Sequence, residues 1–337
     1  MNITAILVAV SLSLLSAETT WAHMENYRLH KMPLSLAYGK NDLSVNDFCP
    51  EKGTTRYLKE VFIGLCWEHQ FIYNRQSCRT SELKNCTELW DLFHDAFAYQ
   101  SPCNVTSEGY QPFIDESMQA VGINKTLFWS GTFNVAHVRT YDNRQYSALE
   151  DTLPGYIAQM VTWCGQEDYP GINYDTCDGE CMDESKEAYW RTASAKFASL
   201  AEGKVTVMLN GSKERGAFRN TSFFARYELP YLNPEKVTVF NVLVIHSLDA
   251  PVIEKCGEGS LLELEKKLGE YKLRHNCRDD PEDIKHILCS ASPGSRTCQD
   301  WKMLNCTCTA ETSRTVIFTG DLVLPIITFF TIYNFVL

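Results

Sequence analysis

Apolar positions recur at helical spacing in the first part of the chain and in continuous runs in the second. In NCTELWDLFHDAFAY, Asn85 to Tyr99, the residues Leu89, Trp90, Phe93, Ala96 and Phe97 fall on one helical face. Asn85 and Glu88 have the spacing of an N-cap and its capping-box partner. YWRTASAKFASLAEG carries the same pattern in Trp190, Ala193, Phe197 and Leu200, so Trp190 opens a helix and Gly203 is its C-terminal stop. There the period changes. KVTVMLNG, Lys204 to Gly211, reads as a strand running into an Asn-Gly turn, and KVTVFNVLVIHS, Lys236 to Ser247, as a strand buried on both faces. KTLFWSG, Lys125 to Gly131, is a further short strand ending in Trp129 and Ser130. SLLELEKKLGEYK, Ser260 to Lys272, predicts a helix boxed by Ser260 and Glu263, with Leu261, Leu264 and Leu268 facing inward. A helical first part followed by an α/β half is the expected architecture.

One stretch carries more than periodicity. In SALEDTLPGYIAQMVTWCG, Ser147 to Gly165, two adjacent acids precede an apolar helical pattern. A helix begun at Ser147 with Glu150 as its box partner would put Pro154 inside, where the ring clash and missing N–H cost about 3 kcal/mol. With Thr152 as the cap, Pro154 falls in the first turn, where its N–H would be unpaired anyway. Glu150 and Asp151 are then free either to complement a helix N-terminus or to act on a ligand.

The 337 residues, 45% of them apolar, suffice for one large core or two smaller ones, and the net charge of −11 disfavours broad contact with nucleic acid or anionic lipid. Fourteen cysteines read as metal sites in the cytosol but as disulfides in an exported protein. Residues 1–22 read as a signal peptide, with an apolar run from Ile6 to Leu15 and a cleavage site at Thr20-Trp21-Ala22. Asn-x-Ser/Thr sequons follow at Asn85, Asn104, Asn124, Asn210, Asn220 and Asn305. The last stretch, LVLPIITFFTIYNFVL, is apolar to its end, shorter than the ~20 residues of a usual membrane span, and preceded by a polar spacer and small residues. It reads as a GPI-attachment signal over residues 322–337, with the tail and attachment region at 301–321, or else as a short tail anchor.

Metal binding is the weaker reading of the Cys177/Cys181 and Cys306/Cys308 spacings, because an oxidising compartment favours disulfides. CGEGS at Cys256 to Ser260 lacks the full glycine fingerprint of a dinucleotide fold, and neither GxSxG nor HExxH occurs. What remains is a scatter of tryptophans and acids at element boundaries, namely Trp129, Glu150, Trp190 and Glu228. Each also has a bland reading, as core packing or as a solvated acid.

Taken in order, LWDLFHDAF, SPCNVT, YQPF, FWSG, LEDTLPGY, TWCGQ, VMLNGS, SFFARYELP and IEKCGEGSLLELEK resemble the ADP-ribosyl cyclase and NAD+ glycohydrolase family, from about Cys66 to Cys298. The resemblance implies an α+β or α/β fold. A helical domain of residues 23–122 plus 148–201 would face an α/β domain of 123–147 plus 202–300, whose small, mainly parallel sheet is flanked by helices. The active cleft would lie between them. It also implies disulfides Cys66–Cys86, Cys103–Cys181, Cys164–Cys177, Cys256–Cys277 and Cys289–Cys298, and leaves Cys49, Cys78, Cys306 and Cys308 as extras. A further bridge of mammalian members would fall at Ile123 and Gly203, so both halves are absent together.

By the same resemblance, NAD(P)+ is the substrate, no cofactor or metal is needed, and the membrane is met through the GPI anchor. Family residues map onto Trp129, Glu150, Asp151, Trp190, Ser194 and Glu228. Glu228 would stabilise the ribosyl cation, Trp129 and Trp190 would stack on the pyridinium, and Glu150 would contact the carboxamide and favour hydrolysis. Phe223 matches an aromatic of soluble cyclases that holds the folded adenine. Two departures stand out. Gly131 replaces an arginine of mammalian members, and Ala148 replaces a common threonine. Pyrophosphate binding would then rest on backbone amides near Ser130 and Ser222, or on another basic residue. The competing expectations are a predominant cyclase and a catalytically silent receptor or adhesion ectodomain.

Overall fold

The computed structural model describes residues 53–73, 83–143 and 145–305. The leader, Cys49, Cys78, Cys306, Cys308 and the anchor signal lie outside the described residues. Helices α1 (Leu58–Glu68), α2 (Cys86–Asp95) and α3 (Ser107–Ser117) come first. Then follow β1 (Leu127–Ser130), α4 (Phe133–Asn143), α5 (Leu153–Ala158) and α6 (Met182–Ser199). The chain continues through β2 (Gly203–Asn210), β3 (Val237–Ile245), α7 (Gly259–Glu270) and β4 (His275–Asp279) to α8 (Glu282–Ala291) and α9 (Arg296–Asn305).

The four strands form one all-parallel sheet in sequence order. Parallel neighbours cannot be joined by hairpins; α4, α5 and α6 fill the first connection and α7 the third, while the second runs through the short helical turn Phe224–Glu228. β2 carries buried side chains on both faces, Val205, Val207 and Leu209 on one and Thr206 and Met208 on the other, as its apolar run predicts. The second face is closed by Ala136 of α4 and Ile284 of α8 against Leu127, Met208 and Leu243. The first face belongs to a cluster that runs from Phe62 and Phe93 through Phe128 and Phe197 to Val205 and Phe240, so the helices and the sheet share one core. In its helical part Phe93 meets Phe62 and Trp163 with ring centroids 5.1 Å apart, and Tyr189 meets Trp163 at the same distance.

The five disulfides implied by the resemblance are all formed. Asn85 caps α2 by accepting the Thr87 and Glu88 amides. Three local expectations are corrected. The helix bearing Trp190 starts at Met182, so Trp190 lies in its middle. Gly203, with φ +77°, opens β2 after a helix that has already ended at Ser199. Ser260 does not box α7 with Glu263. Its hydroxyl donates to Glu254 Oε2 at 2.6 Å and accepts the Phe218 amide at 2.9 Å, tying α7 to the loop after β2.

Candidate active site

β1 delivers Trp129 at its C-terminal end. Ser147, expected as a helix cap in one reading, lies instead beside this strand, its carbonyl accepting the Leu127 amide at 3.0 Å and its amide donating to Lys125 O at 2.8 Å. The 3-10 turn Leu149–Asp151 is thereby laid against Trp129. Thr152 then caps α5 through the Gly155 amide, with Pro154 in the first turn. Gly155 is required there because a Cβ would collide with the Leu149 carbonyl and press on Glu150 Cα. Glu150 is buried, at 9% exposed, and its Oε2 accepts the Trp129 Nε1–H at 3.2 Å. Asp151 faces solvent and turns back on its own turn, accepting the Ala148 amide at 2.8 Å.

α6 supplies the opposite wall. Tyr189 is fully buried and its hydroxyl donates to Pro154 O at 2.9 Å, which fixes the rotation of the helix against α5. Trp190 is therefore held half-buried beside it, in edge contact at 5.5 Å. Ser194, one turn on and so on the same face, donates to Glu228 Oε1 at 3.4 Å. Glu228 ends the helical turn Phe224–Glu228 and is 8% exposed. Glu187, one turn before Trp190, holds the same turn by accepting the Tyr227 hydroxyl at 2.6 Å. Phe223, which precedes that turn, is 39% exposed and in edge contact with Tyr227 at 5.1 Å.

The site concentrates negative charge out of water. Burial pushes the Glu228 carboxyl well above the usual carboxylate range, and repulsion from Glu150 adds to the effect against the Ser194 hydrogen bond. Glu150 is likewise raised by burial, a rise opposed by His137 and by the Trp129 donor. His137, on α4, was not singled out from sequence. Its Nε2 lies 3.7 Å from Glu150 Oε2, and its ring is 6.0 Å from that of Trp129. A buried pair of carboxyls, one of them bonded to the Trp129 edge, suits a cationic planar ligand, which would let both ionise.

Beyond Trp129 the character of the wall changes. Ser130 Oγ accepts Arg219 Nη2 at 2.9 Å. Arg219 was not foreseen, since only the fold brings its loop to β1. The Ser222 amide, expected to be available for a ligand, is consumed by Arg219 O at 2.9 Å in closing that turn. No group of three or more metal-ligating side chains occurs among the described residues.

Residues 55–298 match the family model described as ADP-ribosyl cyclase. The ADP-ribosyl cyclase/cyclic ADP-ribose hydrolase of Aplysia kurodai is 40% identical over 248 residues, covering 73% of this chain and 87% of the other. The crystal structure of Aplysia cyclase complexed with substrate NGD and product cGDPR is similar at a TM-score of 0.66 and 37% identity, covering 73% of this chain and 98% of that one. Porcine CD38, complexed with a covalent intermediate, ribo-F-ribose-5'-phosphate, aligns at a TM-score of 0.62 and 31% identity over 68% of this chain and 99% of that one.

Proposed function

The chain belongs to the ADP-ribosyl cyclase family, and from that premise we propose that its cleft breaks the nicotinamide–ribose bond of NAD(P)+, giving mainly ADP-ribose and a smaller share of cyclic ADP-ribose. The enzyme works on a cationic leaving group. Nicotinamide departs neutral, so unlike an ordinary glycoside it needs no general acid. The ribose left behind is an oxocarbenium-like cation that one preorganised carboxylate can stabilise.

The observation that carries this reading is the buried Glu228, held by Ser194 and pushed toward neutrality by burial and by Glu150 until a cation arrives. The substrate supplies that cation, first as pyridinium and then as the ribosyl centre. A carboxylate placed against such a centre can also close on it, and the porcine relative was captured with a covalent intermediate. Trp129 and Trp190 present flat faces to the ring, each worth about 0.5 to 2 kcal/mol. The Trp129 donor orients the Glu150 carboxyl, which accepts the carboxamide N–H of nicotinamide. Water needs no ordered partner, whereas cyclisation requires adenine to fold back over the ribose, so hydrolysis predominates.

The protein secreted from eukaryotic cells is incubated with NAD+ and the products are separated by chromatography. Nicotinamide with ADP-ribose in excess over cyclic ADP-ribose supports the reading; a dominant cyclic product favours the cyclase alternative, and no release of nicotinamide favours a silent ectodomain. The disulfide framework suits an oxidising compartment, and among the described residues no helix is long and apolar enough to cross a membrane. The enzyme is placed by this reading at the cell surface on a GPI anchor. Phosphatidylinositol-specific phospholipase C would release it, whereas retention with the C-terminal peptide intact would mean a tail anchor.

A further inference from the structure

Arg219 stands out among the arginines on the elements that build the site. Arg191 and Arg226 are both engaged by Glu187, at 3.4 and 3.5 Å, and Arg139 pairs with Asp283. Arg219 has no carboxylate within ion-pair distance among the described residues. Its one side-chain hydrogen bond goes to the Ser130 hydroxyl, and its Nε is enclosed without a partner. An arginine held in place but left uncompensated is a site for an anion.

The surroundings support that assignment. Gly131 has φ +74°, and a Cβ there would lie 3.3 Å from Asn210 Cβ, 3.6 Å from Lys213 Cε and 3.8 Å from Arg219 Nη2. A side chain at this position would be strained and would press on Asn210, with its Cβ already in contact with both cations. Asn210 Nδ2 donates to Gly131 O at 3.0 Å and keeps the corner open. The loop carrying Lys213 and Arg219 is itself pinned, since the buried carboxylate of Glu254 accepts the Ala217 amide at 2.9 Å and the Ser260 hydroxyl accepts that of Phe218 at 2.9 Å. Arg219 O closes the turn with the Ser222 amide, and Ser222 O in turn accepts the Arg226 amide at 3.0 Å, so the arginine and Glu228 are joined through one short hydrogen-bonded segment.

We propose that Arg219, with Lys213 beside it across Gly131, grips the diphosphate of the dinucleotide. The cation is thus carried by the loop after β2 and not by the residue following Ser130. This rests on the substrate reading above. Trp129 and Ser130 are the last two residues of β1, so both lie at the same edge of the sheet, and a dinucleotide whose pyridinium meets Trp129 can reach the Ser130–Arg219 contact with its negative linker. The acidic pair and the basic corner match the two ends of the charge pattern on one substrate, a cationic ring and an anionic diphosphate.

The grip is read directly by calorimetry of ADP-ribose, which has the diphosphate but lacks the pyridinium, and by NAD+ kinetics. Arg219→Ala is expected to weaken ADP-ribose binding and raise KM for NAD+ by about ten- to a hundredfold, with kcat within about threefold and inhibition by uncharged nicotinamide unchanged. Arg219→Lys should recover part of the loss, and its melting curve controls for folding. ADP-ribose binding unaltered in Arg219→Ala overturns the proposal, as does equal weakening of ADP-ribose and nicotinamide. If the wild-type protein bound ADP-ribose through Arg219 but released no nicotinamide from NAD+, the anion grip would stand and the catalytic reading would fall.

Discussion

His137 Nε2 lies 3.7 Å from Glu150 Oε2 while its Nδ1 sits 2.9 Å from the Phe133 carbonyl oxygen. A carbonyl only accepts, so Nδ1 must carry a proton, and Nε2 faces the carboxyl with either a lone pair or a second proton. At that separation the two groups do not hydrogen-bond and Nε2 is buried without a partner, so the imidazole acts on Glu150 through attraction that opposes the rise of its carboxyl. His137 thereby becomes a positioning residue for Glu150.

Removing the imidazole lifts the attraction that opposes the rise of the Glu150 carboxyl. His137→Ala is expected to raise the cyclic fraction of the products in the same direction as Glu150→Ala, by a smaller amount, and to have no effect in the Glu150→Ala background. Chromatographic product ratios of the two single variants and the double variant check this through the coupling of the pair. Independent, additive changes would mean that His137 acts elsewhere.

Glu228→Gln keeps the size of the side chain and removes its charge. Turnover should fall by at least ~10² if the carboxylate stabilises the ribosyl cation, read by nicotinamide release. The stability effect has the opposite sign. Because burial and Glu150 raise the Glu228 carboxyl in the folded state, its protonated form stabilises the fold below the ordinary carboxylate range, and that contribution is lost as pH rises through the elevated value. The glutamine variant escapes the loss, so its Tm should exceed that of the wild type at neutral pH and converge with it below about pH 4. A well-folded variant with near-normal turnover would sink the catalytic assignment.

The partition between products should respond to two residues in opposite ways. Glu150→Ala removes the carboxyl that engages the Trp129 Nε1–H and weakens the bias toward water, raising the cyclic fraction. Phe223→Gly removes an exposed ring at the rim against which adenine could fold, and lowers it. Product ratios unchanged in both variants would show that adenine is oriented by other groups.

Trp190 is held by its neighbour Tyr189 and by the helix, not by a hydrogen bond of its own among the described residues. Trp190→Ala is expected to lower kcat/KM for NAD+ by about tenfold or more, since the stacking face disappears, while Trp190→Phe retains a measurable fraction. Equal tolerance of alanine and phenylalanine in nicotinamide-release assays would make the side chain a packing residue only.

Local chemistry made much of this molecule legible in the chain. Asn85 and Thr152 cap their helices as their spacing predicts because a short polar side chain before an apolar helical pattern has few other partners. The runs around Val205 and Val242 are strands buried on both faces because continuous apolar β-branched sequence has no polar side to turn to water. Expectation failed where a side chain found a distant partner. Ser260 has the spacing of a capping box, yet the fold offers it Glu254 and Phe218, and it joins the loop instead. β4, HNCRD, has no apolar alternation to mark it, since its pairing comes from the edge that β3 presents.

The same division runs through the site. Trp129, Glu150, Trp190, Ser194 and Glu228 could be named from ordered motifs, because the family resemblance preserves residue types in sequence. Their meeting could not be read there. Trp129 reaches Glu150 because Ser147 lies beside β1, and Ser194 reaches Glu228 because Tyr189 fixes the rotation of α6. His137 and Arg219 had no local signal at all. A lone histidine in a helix and a lone arginine in a loop acquire a role only from what stands opposite them, and that is set by parallel strands whose partners lie far apart along the chain.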